Sequence, residues 1–326
     1  EIGDPRRYLL PDVVCDFTQV QITRTGPEHV RVTGARGRPT TDSYKVCATY
    51  LDGYKTSAQL TIVGFDAVAK ARRTGEAILT RAGELLEAQG LPPFSATHLE
   101  VLGAESCYGP LANPAVAQTR EAILRLTARH TDKAALQLLA SEVASAGTSW
   151  APGTTGIGGR PGVSPLIRQY AFLLDKRKLK PAVVLNGTAI SIPEDSSERD
   201  IPSRVAGEPV AQAVVEPAAL AASETVEVPL IAVAWARSGD KGDISNIGVI
   251  ARKPDWLPVL RQQLSEARVA EHLSHLIEGK VVRYELPGIA AFNFVCEQAL
   301  AGGGMASLRN DPLGKGMGQI LLAMPV

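Results

Sequence analysis

The chain has 326 residues, 45% of them hydrophobic, with 34 Lys and Arg against 34 Asp and Glu. This length is about twice that of one ordinary domain, so we expect two domains, each with its own core. Zero formal charge gives no electrostatic footprint for nucleic acid or an anionic membrane surface, and we expect neither partner. No apolar run approaches the roughly 20 residues of a membrane span.

The four cysteines, Cys15, Cys47, Cys107 and Cys296, are widely separated and include no Cys-x-x-Cys pair. A zinc site needs clustered Cys or His, and a disulfide scaffold needs more cysteine, so we expect reduced thiols, no metal site and a cytoplasmic protein. The chain begins at Glu1 rather than Met, which predicts a fragment, a processed product or one part of a longer polypeptide.

The first domain, residues 1–192, is predicted to be a strand meander followed by a mixed α/β region. Asp52-Gly53, between two β-rich runs, is a hairpin signal. From Phe65 to Gly90 apolar residues recur at three- and four-residue steps, which predicts a helix. The remaining elements are predicted as helices at 115–128 and 133–146, and strands near 99–101, 166–174 and 183–185.

Residues 193–228 are predicted to be a flexible linker, because they are rich in Ala, Val, Pro and Glu and contain no aromatic residue. Residues 229–326 are predicted to pack helices on an antiparallel sheet, which resembles a ferredoxin-like α+β sandwich. The fold class is therefore predicted to be α+β. The elements expected in this domain are strands at 229–237, 245–252, 280–286 and 319–325, and helices across 255–278 and at 289–301.

The segment Gly34-Ala-Arg-Gly-Arg-Pro39 places Arg36 and Arg38 on either side of a glycine. Two guanidinium groups at a flexible bend can hold a phosphate or a carboxylate, since each offers a planar fork of donors. The alternative is a bend between strands whose arginines face solvent or a surface acid. On chemistry alone that alternative is favoured.

Residues 147–162 contain six glycines but match neither a P-loop nor the dinucleotide-binding fingerprint. Backbone amides, hydroxyls and one cation can together cradle an anion, although a long loop can also need glycine for its backbone alone. Both interpretations stay open. The anion-binding residues predicted here are Gly153, Thr154, Thr155, Gly156, Gly158, Gly159 and Arg160.

The segment Arg237-Ser-Gly-Asp-Lys-Gly-Asp243, with Asn246 after it, reads first as a hairpin turn. A turn alone does not need the charged and amide groups around it, so we predict an anion site or a domain contact that includes Arg237, Lys241 and Asn246. Arg309, in a second glycine-rich segment (302–316), is a further predicted anion-binding residue, although this segment can equally be a loop that joins the last helix to the last strand. The spacing of the acids does not fit an EF-hand calcium loop.

No sequence motif names a reaction or a cofactor. His272 and His275 stand three apart on a predicted helix, but a zinc site needs at least three protein ligands, so we expect packed or solvated histidines. A nucleophile elbow and a cysteine with an obvious histidine partner are both missing from the sequence.

Taken together, the motifs resemble the acyclic terpene utilisation AtuA family. The resemblance rests on blocks that follow the family order along nearly the whole chain. They are Leu10-Pro-Asp-Val-Val-Cys-Asp-Phe17, Gly34–Pro39, Tyr44-Lys45, Tyr50-x-Asp-Gly-Tyr54, Ala146-Gly-Thr-Ser149, Ala151–Gly156, Gly159-Arg-Pro161, Arg237–Asp243, Tyr284-Glu-Leu-Pro-Gly288 and Asn293-Phe294.

The resemblance implies bacterial catabolism of citronellol and geraniol, whose intermediates travel as branched acyl-CoA thioesters. It also implies an N-terminal α/β region that precedes Glu1 and shares the site, and a closing ferredoxin-fold domain.

Our leading hypothesis is an enzyme or enzyme subunit, forming a homo-oligomer, that acts on a branched or terpenoid acyl-CoA or related acid. The arginine and glycine loops would bind its anionic groups, and Tyr44, Lys45 and Asp240 would be the acid and base groups. The competing hypothesis is a noncatalytic assembly module that docks on a partner such as a biotin-dependent acyl-CoA carboxylase.

Overall fold

The computed structural model describes residues 3–157, 159–190 and 226–326. Its helices and sheets are mixed, which confirms the predicted α+β class. Two hydrophobic cores form, one in each of two parts that we call the N-terminal unit (residues 3–190) and the C-terminal unit (residues 226–326). Within the described ranges, no helix has both the length and the apolar composition needed to cross a membrane.

The N-terminal unit is built on a five-stranded antiparallel sheet whose longest strand has 21 residues. That strand, β6, runs over Ser43–Val63 and pairs with β10 through its first part and with β8 through its second. The strand order is β10-β6-β8-β7, and β9 also pairs with β6. The other strands of this sheet are β7 (Ala96–Leu102), β8 (Glu121–His130), β9 (Thr154–Ile157) and β10 (Val163–Asp175).

Two helices cover this sheet, and both were predicted from sequence. Helix α1 (Ala67–Ala88) buries one stripe of small and aliphatic residues at three- and four-residue steps against the sheet. Helix α2 (Lys133–Ser149) begins where the Asp132 carboxylate accepts a hydrogen bond of 2.8 Å from the amide of Ala134, a typical N-cap. Leu60, Ile62, Leu124 and Leu126 lie in the core under these helices.

Short strands flank the main sheet. A three-stranded sheet contains β1 (Tyr8–Leu9), β2 (Val14–Asp16) and β5 (Arg36–Arg38); β3 (Gln21–Gly26) pairs with β4 (His29–Thr33), and β11 (Val183–Leu185) pairs with β12 (Thr188–Ile190).

The C-terminal unit is a four-stranded antiparallel sheet with helices on one side. The strand order is β13-β14-β16-β15, and Phe292 and Phe294 on the central strand β16 are buried against the helices. The elements are β13 (Ala234–Lys241), β14 (Ile244–Ala251), β15 (Val281–Leu286), β16 (Ala291–Cys296), α3 (Leu257–Gln263), α4 (Glu266–His272) and α5 (Met317–Leu321).

Three predictions of secondary structure are wrong: two strands were predicted as helices, and one helix was predicted as a strand. Residues 115–128, predicted as a helix, form a short 3-10 turn and then β8; residues 289–301, also predicted as a helix, contain β16. β16 is buried along almost its whole length and so lacks the alternation that marks a half-buried strand. β8 does bury alternate residues, but its four-residue step from Ala122 to Leu126 is also a helical step, so the apolar pattern fits both elements. Residues 319–325, predicted as a strand, contain most of α5.

The hairpin predicted at Asp52-Gly53 is also wrong, because β6 continues straight through it. Gly53 has a φ of +87°, and an added Cβ would lie 2.7 Å from the carbonyl oxygen of His130. Glycine is needed here where β6 gains β8 as a neighbour, since β8 pairing begins at Tyr54. The predicted linker, 193–228, lies almost entirely outside the described residues and stays a prediction.

Candidate functional site

The two units are joined by the segment that follows β16. Arg125 on β8 donates a hydrogen bond of 2.7 Å to the carbonyl of Leu308, and the amide of Asn310 donates one of 3.0 Å to Glu100 on β7. Arg125 and Glu100 also form an ion pair of 2.5 Å. Both side chains are largely buried, so this pair fixes the C-terminal segment on the sheet of the N-terminal unit.

A cavity of about 170 Å³ lies at this junction; we call it the inter-unit cavity. A water molecule takes about 30 Å³ of liquid volume, so the cavity has room for a small polar group or a few waters. Part of its lining is apolar, including Leu276, Leu300 and Ile320. Its titratable lining residues come from both units: His98, Glu100, Cys107, His275, Arg309 and Asp311.

Glu100 is held in its charged form although its side chain is only 7% exposed. Burial raises the pKa of Glu100, but hydrogen bonds from His98, the Asn310 amide and Arg125 outweigh burial and bring the pKa below its ordinary 4.5. The His98 ring lies 3.4 Å from the carboxylate. Glu100 therefore serves as the charged centre of the junction.

His275 is held neutral at the cavity wall. Burial lowers its pKa below the ordinary 6.5, against the raising effect of its hydrogen bond with Cys107, and the charges of His272 and Arg309 lower it further. Its Nε2 lies 3.1 Å from the carbonyl oxygen of Cys107, so Nε2 carries the proton. Its Nδ1 is consequently an unprotonated acceptor, and it is buried without a hydrogen-bond partner among the described residues.

Cys107 is placed as a thiol rather than a thiolate. Burial and the negative charges of Glu100 and Asp311 raise its pKa above the ordinary 9.0. Because the thiolate is the nucleophilic form, Cys107 is not activated for covalent chemistry in this arrangement.

Arg309 brings a cation to the cavity and was predicted from sequence. Its Nη1 donates hydrogen bonds of 3.1 Å to the carbonyl of Leu276 and 2.9 Å to that of Ala299, which fix the guanidinium in place. Asp311, across the same lining, accepts amide hydrogen bonds from Lys315 at 2.9 Å and Gly316 at 2.7 Å. Part of the glycine-rich segment 302–316 thus builds this wall.

Of the two arginines predicted near Pro39, Arg38 lies at a second cavity. This cavity is open, measures about 390 Å³ and is lined by Arg38, Arg6, Arg7 and Asp4, among others. Arg38 pairs with Asp16 at 2.5 Å, and Arg6 pairs with Asp4 at 2.9 Å. Arg36 is exposed on the same strand, β5. Several arginines therefore lie near this cavity, but Asp4 and Asp16 neutralise part of their charge.

The glycine loop at 147–162 is explained partly by backbone packing. An added Cβ on Gly153 would lie 2.0 Å from the carbonyl oxygen of Val63, and Thr154–Ile157 forms β9 on the edge of β6. Thr154 Oγ1 donates 2.7 Å to the carbonyl of Ala151, and Arg160 donates 3.0 Å to Ser141 Oγ on α2. Thr155 and Gly156 lie on β9, Gly159 follows it with a φ of +86°, and Gly158 lies outside the described residues.

The three predicted acid and base groups belong to different surroundings. Tyr44 and Lys45 start β6, where the Lys176 ammonium lies 5.2 Å from the Tyr44 ring centre and Lys45 is exposed. Asp240, at the end of β13, pairs with Lys315 at 3.4 Å.

The other residues predicted in the 237–246 motif lie on the antiparallel strands β13 and β14. Arg237 and Lys241 are exposed on β13, and Asn246 is buried on β14. Asp243 accepts amide hydrogen bonds of 3.1 Å from Leu300 and 2.9 Å from Gly302. This motif therefore anchors the segment that reaches the inter-unit cavity.

Sequence reasoning missed most of the cavity. His98, Glu100, Cys107 and Asp311 belong to no local motif, and His275 was expected only to be packed or solvated. Their meeting depends on how segments far apart in sequence pack together. In the described parts of the chain, no group of three His, Cys, Asp or Glu side chains is placed to hold a metal ion.

Comparisons with known proteins agree with the motif pattern. Residues 1–185 match the model of the acyclic terpene utilisation family protein AtuA, and residues 228–326 match the AtuA ferredoxin-like domain. Among curated proteins and solved structures, nothing matches the chain. Because the first model covers more than half of the residues, the chain belongs to the acyclic terpene utilisation AtuA family, and this membership supports a role in terpene catabolism.

Proposed function

We propose that the chain is an enzyme, or the subunit of one, that acts on a branched acyl-CoA thioester or a related terpenoid acid. The reactive end of the substrate would enter the inter-unit cavity. The observation that carries this proposal is a cavity whose lining joins the neutral His275 to a fixed cation, Arg309. The Nδ1 of His275 is buried and has no hydrogen-bond partner among the described residues.

The proposed chemistry is proton transfer. A general base must be unprotonated at the working pH, and the lowered pKa of His275 meets that condition near pH 7. A buried acceptor without a partner costs about 1–3 kcal/mol, so a group that donates to Nδ1 would be bound favourably. The guanidinium of Arg309 would stabilise negative charge that develops on a carboxylate or thioester oxygen.

The cavity size restricts what enters it. A volume of about 170 Å³ admits the carboxylate or thioester end of a substrate but not a whole acyl-CoA. The phosphate groups of the coenzyme A part of the substrate would have to bind elsewhere. Arg36, Arg38 and Arg160 remain proposed anion-binding residues, and Arg38 has the strongest support because it lines the open cavity with Arg6 and Arg7.

The test is ligand binding by the purified chain, measured by calorimetry and thermal shift with geranyl-CoA, 3-methylcrotonyl-CoA, acetyl-CoA and free CoA. A ligand at a hundredfold excess over its Kd adds about 2.7 kcal/mol to the stability of the native state. We expect the branched thioesters to stabilise the protein more than free CoA. Absence of any preference for the branched thioesters would contradict the proposal.

Two variants and a matched control locate the binding. Arg309→Lys loses the guanidinium fork and is expected to weaken branched-thioester binding, whereas Arg73→Gln, on the exposed face of α1, is expected to leave it unchanged. His275→Gln keeps a donor near the position of Nε2 but removes the base. It is expected to weaken binding less than Arg309→Lys does and to lose turnover in an activity screen.

The second candidate function is a noncatalytic assembly module that docks on a partner such as a biotin-dependent carboxylase. The observation in its favour is the exposed apolar surface on one face of β6 and β10, where Tyr50 is 50% and Tyr170 62% exposed. Unchanged pathway flux in the His275→Gln and Arg309→Lys strains would favour this alternative. The proposal also includes a cytoplasmic location, a homo-oligomer and an N-terminal region, implied by the family, that would complete the site.

A further inference from the structure

The first half of β6 forms a two-stranded ribbon with β10, which we call the β6–β10 ribbon (residues 43–53 and 167–175). β6 pairs with β10 from Ser43 onward, but its pairing with β8 begins only at Tyr54. Within the part of the chain that the structure describes, no strand pairs with the other edge of residues 43–53. A two-stranded ribbon is marginally stable in water, and an open edge is a template for another strand.

The ribbon also exposes large apolar side chains, with Tyr50, Tyr170 and Phe172 together on one face and Leu51 and Leu173 on the opposite face. The exposed fractions are 50% for Tyr50, 57% for Leu51, 62% for Tyr170, 38% for Phe172 and 67% for Leu173. The rings of Tyr170 and Phe172 stack at 5.9 Å. Single exposed apolar residues are ordinary, whereas contiguous ones mark interaction surfaces.

We propose that two copies of the chain pair through the open edge of β6, antiparallel, with Cys47 on the two-fold axis. In this register Tyr44 of one copy faces Tyr50 of the other, Val46 faces Ala48, and Cys47 faces its own equivalent. A contact of this kind uses the same patch on both copies and closes as a dimer. The inference names the surface for the homo-oligomer of the proposed function, but it does not depend on any reaction.

The side-chain pattern is what favours a second copy over an unrelated protein. Cross-strand aromatic pairs and aliphatic pairs stabilise antiparallel strands, and this register supplies both from one sequence. Moving the two-fold axis by one residue places a tyrosine opposite Asp52 or Asp42 instead. Cys47 is exposed and forms no disulfide, as a residue on such an axis must be in the isolated chain, and its Sγ accepts a hydrogen bond from the side chain of Gln169 on β10.

The size of the contact sets the expected affinity. The nine residues that this register pairs, 43–51, span roughly 30 Å, and with a sheet about 10 Å thick they bury on the order of 300 Å² per copy. A standard stable interface buries about 800 Å² per partner. We therefore expect a reversible dimer with a dissociation constant in the micromolar range.

The test is sedimentation equilibrium of the full chain at concentrations from about 1 to 200 µM, together with mild oxidation. The wild-type chain is expected to dimerise and to form a disulfide-linked dimer that Cys47→Ser abolishes. Facing Cα atoms in an antiparallel pair lie about 4.5–5.5 Å apart, within the range of a disulfide. Cys47→Ser is expected to keep the reversible dimer, so it separates the cross-link from the association.

Charge variants test the register itself. Cys47→Glu and Cys47→Lys each place two like charges on the axis and are expected to weaken dimerisation by about tenfold or more, because facing like charges repel. An equal mixture of the two is expected to recover the dimer, which a misfolded variant cannot do. A monomeric wild type at 200 µM, or a dimer that neither cross-links at Cys47 nor responds to these charges, would overturn the inference. The dimer and the proposed function can fail separately: binding of branched acyl-CoA thioesters, measured on the same chain, tests the proposed function alone.

Discussion

Replacing Glu100 by Gln removes one charge from the junction between the units while keeping the side-chain shape. Glu100 accepts a hydrogen bond from Arg125 on one carboxylate oxygen and from the amide of Asn310 on the other. An amide side chain offers one acceptor and one donor, so one of these two contacts must be lost. Arg125, only 13% exposed, also loses its counterion.

The expected loss of stability follows from these contacts. Removing one partner of a buried ion pair costs about 3–5 kcal/mol. Arg125 keeps its 2.7 Å hydrogen bond to the Leu308 carbonyl, which compensates in part. We therefore expect Glu100→Gln to lower the free energy of unfolding by about 2–3 kcal/mol.

Urea unfolding followed by far-UV circular dichroism measures this change. The matched control is Glu84→Gln on the exposed face of α1, which is expected to change stability by less than about 0.5 kcal/mol. A cycle with Arg125→Gln and the double variant isolates the pair. The reasoning is refuted if Glu100→Gln is as stable as the control, or if the cycle gives no coupling between the two side chains.

Further expectations concern backbone packing, thiols and pH. Gly288→Ala should destabilise the chain, since its Cβ would lie 2.2 Å from a backbone carbonyl of the N-terminal unit. Gly83→Ala, which adds a methyl group in open space on α1, should stabilise the chain by about 1 kcal/mol. Equal melting temperatures for the two variants would contradict this expectation. Cys47, which is exposed, should react with a thiol reagent well before Cys296, where burial raises the pKa to about 12; equal rates in native protein would count against the fold. Because the pKa of His275 in the folded chain lies below 6.5, its contribution to the free energy of unfolding is complete above pH 6.5 and falls as the pH drops toward the folded pKa. His275→Gln should therefore flatten the plot of Tm against pH in that range. An unchanged plot would argue against a buried neutral ring.

Helical segments with a one-sided apolar pattern could be predicted from sequence, and α1 and α2 were. The central strands could not. β16 is buried along nearly its whole length and shows no alternation, and the alternate burial of β8 contains the four-residue step that a helix also has. The Asp52-Gly53 hairpin failed for a related reason, because the glycine serves the close approach of His130 rather than a chain reversal.

The candidate site could be predicted only where glycine-rich motifs reach it. Arg309 was identified because glycines surround it, and the 237–243 motif was identified because its charges exceed what a turn needs. Glu100 and His275 carry no local signal, since the first becomes notable through Arg125 and the second through the carbonyl of Cys107. Their roles depend on burial and on partners from distant segments.

The state of the His275 ring tests the central claim most directly. Long-range proton–nitrogen correlation spectra, recorded at pH 7 with and without geranyl-CoA and assigned with His275→Gln, report the protonation of both ring nitrogens. We expect a neutral ring with the proton on Nε2, and an Nδ1 resonance that moves with geranyl-CoA but not with free CoA. A ring that is doubly protonated at pH 7, or an Nδ1 resonance that stays fixed at saturating geranyl-CoA, would contradict the central claim.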